Sequence, residues 1–147
     1  MSFQAGQLLT AELLNNILQD CCGYAGVTTA QTTSSTSYVD LATPGPAVTL
    51  ESSGNFALII WEMGAFENST TLRGTYSAIA ISGATTQAAS DSNSLKLSNN
   101  NLGIGDRVAC LQYASINPGT NTYTMKYKVS AGGAGNFSLR NLFVFAP

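Results

Sequence analysis

Alternation of apolar and polar side chains is the dominant pattern of the chain after Ser37. It is clearest over Thr122–Ser130, where every second residue is large and apolar. A period of two indicates a β-strand with one buried face and one face in water. The side chains that this pattern assigns to the core are Tyr123, Met125, Tyr127 and Val129.

Similar patterns predict further strands, separated by turns rich in Gly and Asn. These strands are Tyr38–Leu41, Ala47–Leu50, Phe56–Met63, Gly74–Ile81, Asp106–Tyr113 and Phe137–Phe145, with a short one at Ser94–Leu97. Phe56–Met63 is apolar on both faces, which predicts a central strand buried on two sides with Phe56, Leu58 and Ile60 in the core. The whole set favours an all-β fold, a jelly-roll-like antiparallel β-sandwich.

The N-terminal segment Ser2–Cys22 has a different period. Its apolar residues recur at helical spacing, and Thr10 can cap the helix while Gly23 can end it. The apolar stripe consists of Leu13, Leu14, Ile17, Leu18 and Cys21. A helix of about three turns is marginal in water by itself, so we expect it to pack on another surface.

Between this helix and the strands, the stretch Thr28–Thr36 carries no large apolar side chain. We therefore predict that residues 23–37 form an extended linker arm. The resulting order is an N-terminal anchor helix at 1–22, the arm at 23–37 and a β-sandwich knob at 38–147.

The composition of the chain restricts the classes of partner that it is expected to bind. Of 147 residues only 10% are charged, with a net charge of −2, against about 25% in ordinary soluble domains. A neutral, hydrogen-bonding surface suits a particle component packed among many copies, and it also suits an extracellular protein. The six Lys and Arg are scattered, which argues against nucleic acid as a partner. The longest apolar stretch, Phe56–Trp61, is too short for membrane insertion, and the N-terminus lacks the pattern of a signal peptide.

The sequence contains no His, so neither a Ser-His-Asp triad nor a Cys-His pair can form. Glu62 and Glu67 are the sole close carboxylate pair, and we interpret them as surface acids. We predict a protein that is not an enzyme and has no cofactor and no metal. The sequence contains three cysteines, Cys21, Cys22 and Cys110. They leave two alternatives open, partly buried thiols or an interchain disulfide.

The sequence also contains two weaker binding patterns. Aromatic side chains that could stack on a sugar are Trp61, Tyr76, Tyr113 and Tyr123, although their strand positions favour core packing. Oxygen-bearing side chains that could bind Ca²⁺ are Asp91, Asn93, Asn99, Asn100 and Asn101. The spacing of the latter does not match an EF-hand, which favours a plain surface loop.

Several segments resemble structural proteins of tailed-phage virions. The opening residues 3–15, FQAGQLLTAELLN, are similar to an F-x-x-G-x-x-L-T-A-x-x-L-N start found in that family. Thr36–Leu41, Ser82–Asp91 and Asn117–Val129 also resemble recurring segments of its members. The resemblance implies a capsid decoration protein, a head fibre or a tail or fibre knob, assembled as a homotrimer.

Together these observations predict a structural protein at the virion surface, made in the host cytoplasm, that binds the phage capsid as a decoration or head-fibre protein. The predicted virion-anchoring residues are Phe3, Leu8, Leu9, Leu13, Leu14, Ile17 and Leu18. The rival interpretation of this apolar stripe is packing on its own knob or on sister helices. The alternative function is a tail-associated fibre or receptor-binding knob, with tail proteins and a host surface glycan as partners.

Overall fold

The computed structural model describes Thr10, Ala11, Asn15 and residues 20–67, 73–99, 106–131 and 133–147. The strands of this part of the chain are β1 (Cys22–Val27), β2 (Gln31–Thr33), β3 (Ala47–Ser52), β4 (Phe56–Glu67), β5 (Arg73–Gly83), β6 (Ser94–Asn99), β7 (Asp106–Ser115), β8 (Gly119–Val129) and β9 (Gly135–Phe145). A 3-10 turn lies at Asp91–Asn93. Nowhere in the described ranges is a helix long and apolar enough to cross a membrane.

Two antiparallel sheets form the sandwich. The five-stranded sheet has the order β1-β9-β4-β7, with β2 also paired to β9, and the four-stranded sheet has the order β3-β8-β5-β6. From β3 onward, every connection except that from β5 to β6 crosses from one sheet to the other. In the resulting sandwich β9 lies opposite β8, and β4 lies opposite β5. The predicted all-β, jelly-roll-like sandwich is confirmed.

The core lies between the inner faces of the two sheets. Tyr123, Met125, Tyr127 and Val129 of β8 are all buried, as their alternation predicted. Facing them from the other sheet are Ile59, Trp61, Met63, Phe137, Leu142 and Val144. The polar end of the buried Trp61 is satisfied, because its Nε1 donates to the Ser77 hydroxyl at 3.1 Å.

The orientation predicted for β4 is wrong. The side chains that it buries are the odd-numbered ones, from Ala57 to Ala65, while Leu58 and Ile60 are exposed and Phe56 is half-buried. β4 is indeed central within its sheet, between β9 and β7. However, a second sheet packs on one of its faces only, so every second side chain points away from the core. A continuous apolar run contains no information about which face that is.

The arm predicted at residues 23–37 is also wrong where β1 and β2 form. β1 pairs with Arg140–Phe145 along its whole length, and β2 pairs with Gly135–Phe137. Backbone hydrogen bonds hold these strands, so they do not need the apolar side chains whose absence suggested an arm. Gly23 permits the close approach of β1 to β3, since a Cβ there would lie 2.3 Å from Val48 Cγ1.

The helix predicted for Ser2–Cys22 lies largely outside the described residues and stays a prediction. Its predicted end is corrected, because Cys21 is in a turn and Cys22 is the first residue of β1. The amide of Ala146 donates to the Cys21 carbonyl at 2.8 Å, which extends the pairing of β1 and β9 by one residue. The N-terminal segment thus joins the sandwich directly at an edge of the five-stranded sheet.

Candidate interaction surface

The seven residues predicted to anchor the chain, Phe3 to Leu18, all lie outside the described residues. Their role therefore stays a prediction. The two outer faces of the sandwich differ strongly in chemistry.

The outer face of the five-stranded sheet is apolar. We call this surface the apolar face; its large side chains are Tyr24, Phe56, Leu58, Ile60, Leu111, Tyr113, Phe143 and Phe145. The strand register aligns them into rows, because directly paired residues project from the same side of a sheet. One row is Tyr24, Phe143, Ile60 and Leu111, and the next is Cys22, Phe145, Leu58 and Tyr113.

Exposure on this face is high. Tyr24 is 69% exposed, and Leu111 and Tyr113 are each 64% exposed. Single exposed apolar residues are normal, but contiguous exposed patches of several hundred Å² mark interaction sites in soluble proteins. The rings also contact each other, since Phe56 stacks on Tyr113 with centroids 5.7 Å apart and an angle of 11° between their planes. The apolar face is therefore an ordered surface that has the composition of a binding site.

One polar chain crosses the apolar face beside the row that contains Ile60. The Tyr24 hydroxyl donates to Asn141 Oδ1 at 2.7 Å, and the Asn141 amide donates to the Glu62 carboxylate. Arg107 forms two hydrogen bonds to the same carboxylate, one of them from Nε at 3.0 Å. These four side chains come from β1, β9, β4 and β7 and satisfy one another, so the polar chain adds no net charge to the face.

A shallow depression of about 160 Å³ lies next to this polar chain. Tyr24, Ile60, Glu62 and Phe143 contribute to its wall. The depression is comparable in size to one large apolar side chain. It is a place where a partner's side chain can insert into an otherwise flat surface.

The ion pair in the polar chain gives a pH dependence with a definite sign. The hydrogen bond from Arg107 lowers the pKa of Glu62 below its ordinary value of 4.5, although partial burial acts in the opposite direction. A carboxyl whose pKa is lower in the folded state stabilises the fold above its unfolded pKa and ceases to do so as the pH falls through the folded value.

We therefore expect Glu62→Gln to lower the free energy of unfolding at about pH 7, and we expect the difference from wild type to be smaller at about pH 3, which lies below the ordinary pKa of 4.5. Urea unfolding of both proteins at the two pH values measures this. A difference of equal size at both would show that the carboxylate charge contributes nothing to stability.

The outer face of the four-stranded sheet is different, because it carries lysines that the chain's own segments cover. The Lys128 ammonium lies between the rings of Tyr38 and Tyr76, 5.0 and 4.8 Å from their centroids, and 2.8 Å from Asp91 Oδ2. Lys126 pairs with Asp40 at 2.7 Å. This side of the sandwich is thus already occupied and polar.

Sequence reasoning also missed a buried cation. Between Glu62 and Gly64 the register of β4 against β9 shifts, with one extra residue in β9, and Leu139 adopts a φ of 47°. This bulge turns Arg140 into the core, where it is 0% exposed.

The guanidinium of Arg140 is held by backbone carbonyls. Its Nη1 donates to Thr43 and Gly45 at 3.2 and 3.1 Å, and its Nη2 donates to Thr29 at 3.2 Å. It also lies over the Tyr127 ring, with 5.4 Å from Cζ to the ring centroid. Arg140 therefore fastens two connecting segments to β9 and has a structural role.

The other candidates from the sequence are dispersed. Trp61 and Tyr123 are core residues, Tyr76 lies between lysines, and Tyr113 is the one of the four sugar candidates on the apolar face. The Asp91 carboxylate is bound by Lys128 and Tyr38. Among the described residues no group of three or more His, Cys, Asp or Glu could hold a metal ion. Asn100, Asn101 and the side chains of Asn99 and Glu67 lie outside the described part.

No family model matches the chain, and no curated protein matches it. Solved structures that match include a chain in the structure of infectious bursal disease virus strain Gx, at a TM-score of 0.40 and 17% identity, covering 85% of this chain and 33% of that one. Another is the enzymatically active domain of tailspike protein 4 of bacteriophage CBA120, at a TM-score of 0.37 and 11% identity, covering 83% and 19%. The chain thus spans a third or less of either protein, and likenesses this low carry no argument about function.

Proposed function

We propose that this chain is a structural virion protein of a tailed phage, which binds the capsid surface as a decoration or head-fibre protein and acts by binding without catalysis. The observation that carries the binding role is the exposed apolar face. The sequence resemblance at residues 3–15, 36–41, 82–91 and 117–129 supplies the virion context.

The chemistry of the apolar face supports a protein partner. Interface cores are depleted in charged residues and enriched in aromatic ones. The apolar face fits this description, with Tyr24, Tyr113 and Phe143 exposed and its one ion pair internally neutralised. It is also broad and shallow, in contrast to the deep clefts in which small ligands are usually held.

Attachment to the particle is proposed to involve the N-terminal segment, through the apolar stripe that contains Leu13 and Ile17. Because β1 begins at Cys22, no free arm separates this segment from the sandwich. The anchor would hold the sandwich close to the particle rather than at the end of a spacer. The apolar face is a second and separate surface, which leaves it available for another contact.

Deleting residues 2–19 should leave the sandwich folded and abolish its incorporation into particles. The deletion ends there because Cys21 is buried and Cys22 belongs to β1. Unfolding midpoints test the fold, and quantitative mass spectrometry of purified particles of the encoding phage measures copies per particle.

A matched pair of full-length variants serves as the control. Serine at Leu13 and Ile17 should reproduce the deletion, whereas serine at Asn15 and Asn16 should not. Wild-type incorporation of the truncated chain would place the anchor elsewhere. The wild-type copy number separates two locations, since hundreds of copies indicate the capsid and a handful indicate the tail.

A second candidate function is a tail-associated or receptor-binding knob that recognises a host surface glycan. The observation that favours it is the depression on the apolar face, where exposed aromatic rings lie beside the amide of Asn141 and the carboxylate of Glu62. Binding of the isolated chain to glycans of the host surface, with loss of that binding in Phe143→Ala and Tyr24→Ala, would favour this function over decoration.

A further inference from the structure

We propose that the apolar face is covered by a second copy of this chain, so that the outer face of the five-stranded sheet is the surface through which the protein associates with itself. This inference rests on the proposed function, in which the apolar face binds protein, and it names the partner. Three properties of the face lead to this partner: its size, its charge and its shape.

The size of the face calls for a macromolecular partner. Strands about 4.8 Å apart with a rise of about 3.4 Å per residue give four paired strands an area of roughly 450 Å² in plan over seven residues. The accessible surface of projecting side chains is larger than this, and a stable interface buries about 800 Å² per partner. The apolar face with its rim thus offers an area of the right order for one protein surface.

The neutrality of the apolar face favours a second copy of this chain over an acidic or a basic partner. Arg107 and Glu62 neutralise each other within one chain, so the apolar face offers no excess charge to attract an acidic or a basic protein. Two such faces can approach without bringing like charges together. The chain's other outer face is unsuited, because Lys126 and Lys128 lie there with their own acidic partners.

The shape of the face is uneven. Leu111 and Tyr113 on the edge strand β7 are each 64% exposed, whereas Leu58 and Ile60 on the neighbouring β4 are 37% and 45% exposed. The depression near Ile60 and Phe143 can accept such a projecting side chain from the facing copy. The same chain therefore carries both the projecting side chains and the depression that can accept one of them. Contacts of this kind close into a symmetric dimer or a ring.

The test uses the full-length chain alone, by sedimentation equilibrium over a range of concentrations. Wild type should associate, and Leu111→Asp should weaken association at least about 30-fold, the loss expected at an interface hot spot. Thr49→Asp is the control, because it places the same charge at an exposed strand position of the other sheet and should leave the association constant unchanged. Leu111 is exposed in the single chain, so its substitution should leave the unfolding midpoint of the monomer unaltered.

A second measurement requires no variant. Nitration of Tyr24 and Tyr113 in wild type should slow as concentration rises, while the rate at Tyr38, on the opposite side of the sandwich, should stay constant. A wild type that is monomeric at about 100 μM would overturn the proposal, because a dissociation constant above that concentration is too weak for a stable assembly. Unchanged association in Leu111→Asp, or concentration-independent nitration, would overturn it as well.

These outcomes are distinct from failure of the proposed function. A chain that is monomeric in solution but still joins the phage particle would refute self-association through this face and leave the virion role standing. A chain that associates through Leu111 but never enters particles would do the reverse.

Discussion

Replacing Ile59 by Ala should destabilise the protein by about 2–5 kcal/mol, while the same substitution at the next residue, Ile60, should cost about 1 kcal/mol or less. Ile59 is fully buried between the sheets, so its truncation leaves a cavity that neighbours such as Trp61 cannot fill. Ile60 lies on the apolar face and is 45% exposed. Denaturant unfolding measures both changes.

The two residues form a matched pair, with the same side chain on the same strand and opposite orientation. Unfolding should be measured in the Leu111→Asp background, because self-association would bury Ile60 and increase the cost of its truncation. Equal losses at both positions in the monomer would contradict the orientation of β4. A larger loss at Ile60 would restore the orientation that the sequence pattern predicted.

The second large effect is expected at Arg140. Its replacement by Ala should cost about 3–5 kcal/mol, because it leaves several carbonyl groups in and near the core without donors and opens a cavity over the Tyr127 ring. The carbonyls concerned are those of Thr29, Thr43 and Gly45. Thermal or urea unfolding measures the loss.

Two controls define the cause. Arg140→Lys keeps the positive charge but not the fork of donors, so its loss should be large and somewhat below that of Arg140→Ala. Arg107→Ala removes an exposed guanidinium from the same sheet and should destabilise the protein far less than Arg140→Ala, because it breaks only the surface ion pair with Glu62. If Arg140→Ala and Arg107→Ala destabilise equally, the buried hydrogen bonds are not what makes Arg140 important.

The sequence by itself determined the strands from β3 to β9 and the core side chains of β8, whereas the strand predicted at Tyr38–Leu41 is reduced to one isolated bridge between Val39 and Tyr127. In β8, polar residues alternate strictly with Tyr123, Met125 and Tyr127, and one orientation alone keeps the polar side chains from Thr122 to Lys128 out of the core. The β-sandwich class follows from the same patterns. These features are local, because the period and the identity of the side chains carry them.

Tertiary structure decided the rest. The run that contains Ile59 and Ile60 is apolar at both parities, so its orientation depends on which side the second sheet covers. The apolar face could not be predicted from the sequence for the same reason, because the exposure of these side chains depends on how the two sheets pack together. The sequence did not predict β1 and β2 because they pair with β9 through backbone hydrogen bonds between segments more than 100 residues apart. The pattern of side chains carries no information about such pairing. Arg140 points inward because the bulge adds one residue to β9, and a single extra residue reverses the side of the sheet to which the following side chains point.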